Sequence, residues 1–244
     1  MKSINTYRKV AFDMTYVQLG WTLWFFGIVL TIYVAFSFLF GVDVQRNNEL
    51  GHLLFKFVGG MEGGETDLGR GFLGFILHPA KIFMIICGYN SVSRFLNHFV
   101  RQGVTRKAYF CGATLASVAL SLGIALMAGV IVWVEQTVLS RVQFVSPWIV
   151  VVLAFALNIL AYYVFGWLIG AGFYRYGFGG VLFILLALAL LLAAEMMFAL
   201  WEAEMLKGMI VVPEVFIPFL ATLLLLGVCL WIVRMTTKRV RVRL

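Results

Sequence analysis

The chain has 244 residues, of which 63% are hydrophobic and only 12% charged, and its formal net charge is +8. Soluble globular domains carry about 25% charged residues, so this composition excludes a soluble domain and indicates a polytopic membrane protein. The basic residues lie at the ends of apolar runs, where they act as topology signals, and we therefore expect no nucleic-acid partner.

Residues 1–18 form the first predicted element, an amphipathic helix. Lys2, Thr6, Lys9 and Asp13 recur at helical spacing, and apolar side chains line the neighbouring face. Because a long apolar run follows directly, the pattern favours a helix lying in the inner membrane interface. Binding of a protein partner by this helix is the alternative.

Six apolar runs follow that are long enough to cross a bilayer, which takes about 20 residues. They predict an all-α integral membrane protein in which residues 1–244 form a single transmembrane domain. The predicted spans are residues 19–40, 71–93, 108–134, 148–170, 179–201 and 212–233. The connection 41–70 holds a short apolar patch and a glycine-rich piece. Either the patch lies on the outer leaflet or covers the mouth of the bundle, or the segment is a simple connector.

Charge orients these spans. With both termini inside, the inner segments carry thirteen of the 19 Lys and Arg residues and one of the 11 acidic residues. This bias predicts a multi-pass protein of the cell inner or plasma membrane with both termini in the cytoplasm. Membrane lipids are then its immediate partners, and the basic end of the chain is expected to lie near anionic headgroups.

Between the second and third spans lies a polar island, Arg94–Lys107. Its basic character places it in a cytoplasmic loop. The first half predicts a short amphipathic helix with Phe95 and Phe99 on the apolar face and Arg94, Asn97, His98 and Arg101 on the other, with Gln102 at the edge. Gly103 is expected to end this helix and Thr105 to cap the next one.

Three ionisable residues, His78, Lys81 and Glu195, fall inside predicted spans. Such residues are expensive in lipid and are candidates for an intramembrane polar site. The boundaries place Glu195 near the outer end of the fifth span, and a Lys81–Glu195 pair between helices is plausible. No catalytic motif, metal-ligand spacing or nucleotide-binding loop is present, so we expect no enzyme and no metal site in this chain.

At the polar island the sequence resembles the permease subunits of ABC-2 type exporters. In that family the second span leads into a cytoplasmic coupling helix, then a Gly-[Val/Ile]-[Ser/Thr]-[Arg/Pro]-basic segment, and then an aromatic residue at the entry to the third span. The positions that fit this pattern are Gly103, Val104, Thr105, Arg106, Lys107, Tyr109 and Phe110. The motif covers about twenty residues, whereas the predicted topology agrees along the whole chain.

The resemblance implies a small exporter permease that binds no cofactor itself and works with a separate cytoplasmic ATPase carrying ATP and Mg²⁺. A second permease copy or a sister chain would complete a dimer, and the substrate would be amphipathic, such as an exported peptide. The implied ATPase-docking residues are Arg94, Phe95, Asn97, His98, Phe99, Arg101, Gln102, Gly103, Thr105 and Arg106. The alternative is a stand-alone membrane protein, either an ion-coupled carrier or an immunity or assembly factor.

Overall fold

The computed structural model describes residues 2–40, 71–137, 148–206 and 212–238, and these parts contain helices and no strands. The predicted all-α fold is confirmed to that extent. The connection 41–70 and the basic end of the chain from residue 239 lie outside the described residues. The α-helices are α1 (Lys2–Phe40), α2 (Gly71–Asn90), α3 (Asn97–Arg101), α4 (Arg106–Thr137), α5 (Trp148–Tyr176), α6 (Val181–Leu206) and α7 (Val212–Lys238).

Within the described residues, five helical stretches are long and apolar enough to cross a membrane. They are Tyr7–Ala35, Phe72–Arg101, Arg106–Thr137, Ile149–Leu200 and Phe219–Lys238. The fourth stretch covers most of α5 and α6, which are joined by a 3₁₀ turn at Gly177–Gly180. The chain reverses there, since Tyr162 on α5 reaches Glu195 on α6, and Gly177 supplies the positive φ of 56° that the turn requires.

The first helix runs without a break across the boundary expected near residue 18. Its 39 residues extend about 58 Å at about 1.5 Å per residue, well beyond the roughly 30 Å of a bilayer's hydrocarbon core. One helix therefore contains both the amphipathic segment and the following apolar run. The interfacial position of residues 1–18 stays a prediction.

The centre of the bundle is α5, which packs against α2, α4, α6 and α7, while α1 packs on α4 and α2. Between Val151 and Gly172 only Leu153 is exposed. A helix that is apolar on every side belongs inside a bundle. Small residues let the neighbouring backbones approach, and Gly166 and Gly170 of α5 lie against the backbone of α2 at Ile85 and Tyr89.

A π-helical turn, Ser91–Leu96, joins α2 to α3, so the helix of the polar island continues the second span. A π-turn holds one more residue than an α-helical turn and is frequent at functional sites. The turn therefore sets how the polar island is oriented relative to the bundle.

Candidate functional site

The end of the polar island is built by local signals. After α3, Gly103 adopts a φ of 81°, and its amide donates to the Val100 carbonyl at 3.0 Å. The Thr105 hydroxyl oxygen accepts the Ala108 amide at 3.3 Å and caps α4. The predicted helix end and helix start are both confirmed, because each depends on residues only a few positions apart.

The polar face of the island divides into an outer rim and one inward residue. Arg94, His98 and Arg101 are exposed, as is Gln102, whose side chain hydrogen-bonds to His98 at 3.1 Å. We call these four residues the basic rim. Asn97 Oδ1 instead accepts a hydrogen bond from the Tyr174 hydroxyl at 2.6 Å, which connects the island to the end of α5.

The apolar face of the island is already covered by the chain itself. Phe99 is only 5% exposed and its ring lies 6.0 Å from that of Tyr109. Phe95 is half-buried, with its ring 6.0 Å from Trp21 of α1. These two phenylalanines therefore fix the island to the bundle, and the surface open to a partner is the basic rim.

Arg106 also faces inward. Its guanidinium donates to the carbonyls of Thr237 and Lys238, both at 3.2 Å, and Arg175 donates to the Thr236 carbonyl at 3.3 Å. The last carbonyls of a helix have no partner within it and carry partial negative charge. The two arginines cap α7 from neighbouring elements, a role the sequence did not indicate.

Below the island, a buried hydrogen-bond network surrounds the π-turn. Tyr109 donates to the Ser91 carbonyl, and the Ser91 hydroxyl bonds with that of Tyr163. The Gln18 amide of α1 donates to the same Tyr163 oxygen at 3.2 Å. Helices α4 and α5 thus bind the start of the π-turn directly, and α1 is joined to it through Tyr163.

Lys81 and Glu195, two of the three predicted intramembrane residues, form an ion pair. Lys81 Nζ lies 3.0 Å from Glu195 Oε1, and the Tyr162 hydroxyl donates to the same oxygen at 2.8 Å. The ammonium also lies 5.0 Å from the centre of the Tyr162 ring, within the range of a cation–π contact. Tyr162 is the member of this site that sequence reasoning missed.

The ion pair lies near the middle of its helices. Tyr162 is 14 residues from either end of α5, about 21 Å along the axis. Glu195 lies 14 residues into α6, which runs on to Leu206; its expected position near the outer end of a membrane span stays a prediction. His78 lies one turn from Lys81 on α2 and is half-buried, and α2 continues through Pro79.

A buried carboxylate, Glu135, joins three helices near one end of α4. It accepts the Tyr33 hydroxyl of α1 and the Phe72 amide at the start of α2, the latter at 3.0 Å. The first amides of a helix lack internal partners and favour a negative charge. From the sequence, Glu135 was one of several acids outside the spans, and nothing marked it as a cap.

Comparison of the chain with protein-family models, with curated proteins and with solved structures finds no match. Inferences about function therefore depend on the basic rim, on the ion pair and on the resemblance at the polar island.

Proposed function

We propose that the chain is the permease subunit of an ATP-driven exporter of the ABC-2 type. A separate ATPase would hydrolyse Mg²⁺-bound ATP, and this chain would carry an amphipathic substrate across the membrane. The observation that carries the proposal is the basic rim, four exposed polar residues on a short helix that is tied to the bundle through Asn97, Phe99 and the π-turn.

The proposal includes six crossings with both termini in the cytoplasm. The apolar stretch Ile149–Leu200 reverses at Gly177 and belongs to two helices, α5 and α6. They are 29 and 26 residues long, and each is long enough to cross a bilayer. An even number of crossings puts both basic ends on one side, in keeping with the distribution of positive charge.

Docking is assigned to the basic rim, because the apolar face of the island is occupied within the chain. Arg94 and Arg101 would meet acidic side chains on the ATPase, and such pairs orient and select a partner. Phe95 and Phe99 would transmit the movement, since they pack on Trp21 of α1 and Tyr109 of α4.

Force applied to the rim would pass along α3 and the π-turn into α2, and from there to α5. Closure of an ATPase dimer would move two such bundles between inward-facing and outward-facing arrangements. The second bundle would be another copy of this chain or a sister permease.

The experiment combines Arg94→Glu and Arg101→Glu in one variant. The matched control reverses Arg8 and Lys9, two exposed basic residues at the start of α1. Each chain is purified from its native membrane, and the ABC ATPase that accompanies it is quantified by mass spectrometry. The amount of ATPase recovered with the rim variant should be at least tenfold lower than with the control.

Reconstitution separates docking from function. The native chain with its ATPase should export a labelled amphipathic peptide only with ATP and Mg²⁺, and the rim variant should not. Equal ATPase recovery and equal export in the rim variant and the control would refute docking at the rim. An ATPase absent from both would refute the exporter assignment itself.

A stand-alone ion-coupled carrier is the second candidate, and the Lys81–Glu195 pair favours it. Paired ionisable groups inside a membrane bundle are typical of ion and proton pathways. A carrier would work in liposomes with this chain alone and an imposed pH gradient, and Glu195→Gln would abolish that flux. Uptake unaffected by the gradient would exclude the carrier.

A further inference from the structure

The ion pair near the middle of α2 and α6 is unevenly shielded. The Lys81 side chain is 11% exposed, whereas that of Glu195 is 36% exposed. Both donors, the Lys81 ammonium and the Tyr162 hydroxyl, bind the same carboxylate oxygen, Oε1. The pair therefore presents its negative end at the surface of the bundle and keeps its positive end inside.

The surface around Glu195 is apolar. Leu188, Leu192 and Met196 of α6 are 51%, 57% and 67% exposed, and they lie within about two helical turns of the carboxylate. Lipid tails offer no hydrogen-bond donor to an anion at this depth. One carboxylate on an apolar wall matches a molecule with an apolar body and a single positive donor group.

We propose that Glu195, held by Lys81 and Tyr162, binds an ammonium or guanidinium group of the transported substrate, so that the substrates are cationic amphipathic molecules. This inference depends on the proposed transport function and narrows its substrate class. The carboxylate and an incoming cation would form a charge-assisted hydrogen bond, which is stronger than a neutral one.

A second copy of the chain does not supply this cation from the described residues. Besides Lys81, the described Lys and Arg residues lie in two places. One group is within about two turns of the start of α1. The other is within about two turns of the helix ends at the polar island and of the ends of α5 and α7. In the proposed six-span arrangement, lipid headgroups lie at the two ends of the roughly 30 Å hydrocarbon core, whereas Glu195 lies 14 residues into α6. We therefore assign this role to a mobile substrate that reaches the exposed carboxylate at the surface of α6.

The first test uses the native full chain in phosphatidylcholine nanodiscs, where the lipid has no net charge. Dicyclohexylcarbodiimide modifies carboxyl groups in apolar surroundings, and mass spectrometry reports its attachment to Glu195. The probes are two amphipathic helical peptides, one of Leu and Lys and the other with Gln in place of Lys. The Lys peptide should slow the labelling of Glu195 at least tenfold, and the Gln peptide should not. Equal protection by both peptides, or a Glu195 that is never labelled, would overturn the proposal.

The second test measures peptide affinity by fluorescence polarisation, with empty nanodiscs subtracted. The native chain should prefer the Lys peptide over the Gln peptide by about tenfold or more, the scale of a hydrogen bond to a charged group. Glu195→Gln should reduce this ratio to about one. Asp13→Asn makes the same change in formal charge at the start of α1 and should leave the ratio unchanged.

A charge exchange separates recognition from structural support. The double variant Lys81→Glu with Glu195→Lys retains an ion pair but turns its positive end to the surface. It should favour a Leu and Glu peptide over the Lys peptide. If it keeps the native preference, the ion pair is structural and the proposal fails.

These results are independent of ATPase docking. Loss of cation preference with normal ATPase recovery would overturn the substrate inference and leave the exporter assignment standing. A retained preference in a chain that binds no ATPase would overturn the exporter assignment and leave the binding site standing.

Discussion

Replacement of Gly88 by alanine tests the close approach of α2 and α5. A Cβ atom at Gly88 would lie 2.0 Å from the Tyr163 carbonyl oxygen and 2.9 Å from the Trp167 amide nitrogen. Both contacts are with backbone atoms, so no side-chain rotation relieves them. Gly88→Ala must therefore push the two helices apart.

The size of the effect follows from the geometry. Real Cβ atoms essentially never come closer than 3.0 Å to another heavy atom, so the backbones must separate by at least about 1 Å. Overpacking a tight core costs about 1–3 kcal/mol, and we expect the upper half of this range because backbone meets backbone. At roughly 2–4 °C per kcal/mol for a chain of this size, the midpoint of thermal unfolding should fall by about 4–12 °C.

The assay heats purified variants in detergent and measures the monodisperse fraction by size-exclusion chromatography. Gly123→Ala is the matched control, because nothing lies within 4 Å of a Cβ at that position in α4. Alanine is favoured over glycine inside a helix by about 0.5–1 kcal/mol, so this variant should be as stable as the native chain or slightly more so. If Gly88→Ala matches Gly123→Ala within about 1 °C, the close helix contact is refuted.

Three further substitutions test the polar contacts. Tyr109→Phe removes the donor to the Ser91 carbonyl and should cost about 1–2 kcal/mol, read as a lower thermal midpoint. Glu135→Gln weakens the cap on the Phe72 amide, and hydrogen exchange in the first turn of α2 should accelerate about tenfold. Arg106→Gln uncaps α7 and should speed hydrogen exchange in its last turn without changing the rest of the bundle.

Each substitution has a control that makes the same chemical change at another site. Tyr16→Phe alters an exposed tyrosine, Asp13→Asn neutralises a half-buried acid, and Lys107→Gln removes an exposed charge next to Arg106. None of these three control substitutions should change the thermal midpoint or the hydrogen exchange measured for the test substitution it is paired with. If a test substitution behaves like its control, the hydrogen bond assigned to the substituted residue is contradicted.

The polar island shows how far local sequence signals reach. The helix end at Gly103 and the cap at Thr105 could be predicted, because turn and cap preferences act over three or four residues. The inward position of Arg106 could not, since its partners Thr237 and Lys238 lie more than 130 positions away. A basic residue looks the same in sequence whether it faces a partner or a distant helix end.

The ion pair shows the complementary limit. Lys81 and Glu195 stand out because charges are costly in an apolar run, but their pairing depends on the rotation of α2 and α6 about their axes. Helix α6 is apolar on nearly every side, so its sequence carries little periodic signal that would fix this rotation. Tyr162 carries no signal at all, because tyrosine is common in membrane helices.

The extra residue in the turn at Ser91–Leu96 has a consequence for how the chain tolerates insertions and deletions. At 3.6 residues per turn, one residue more or fewer rotates everything that follows by about 100°. A single-codon insertion before Arg94 would place this arginine at the position that Phe95 now takes beside Trp21. A loop would absorb such a change, but this segment passes it undiminished to the rim.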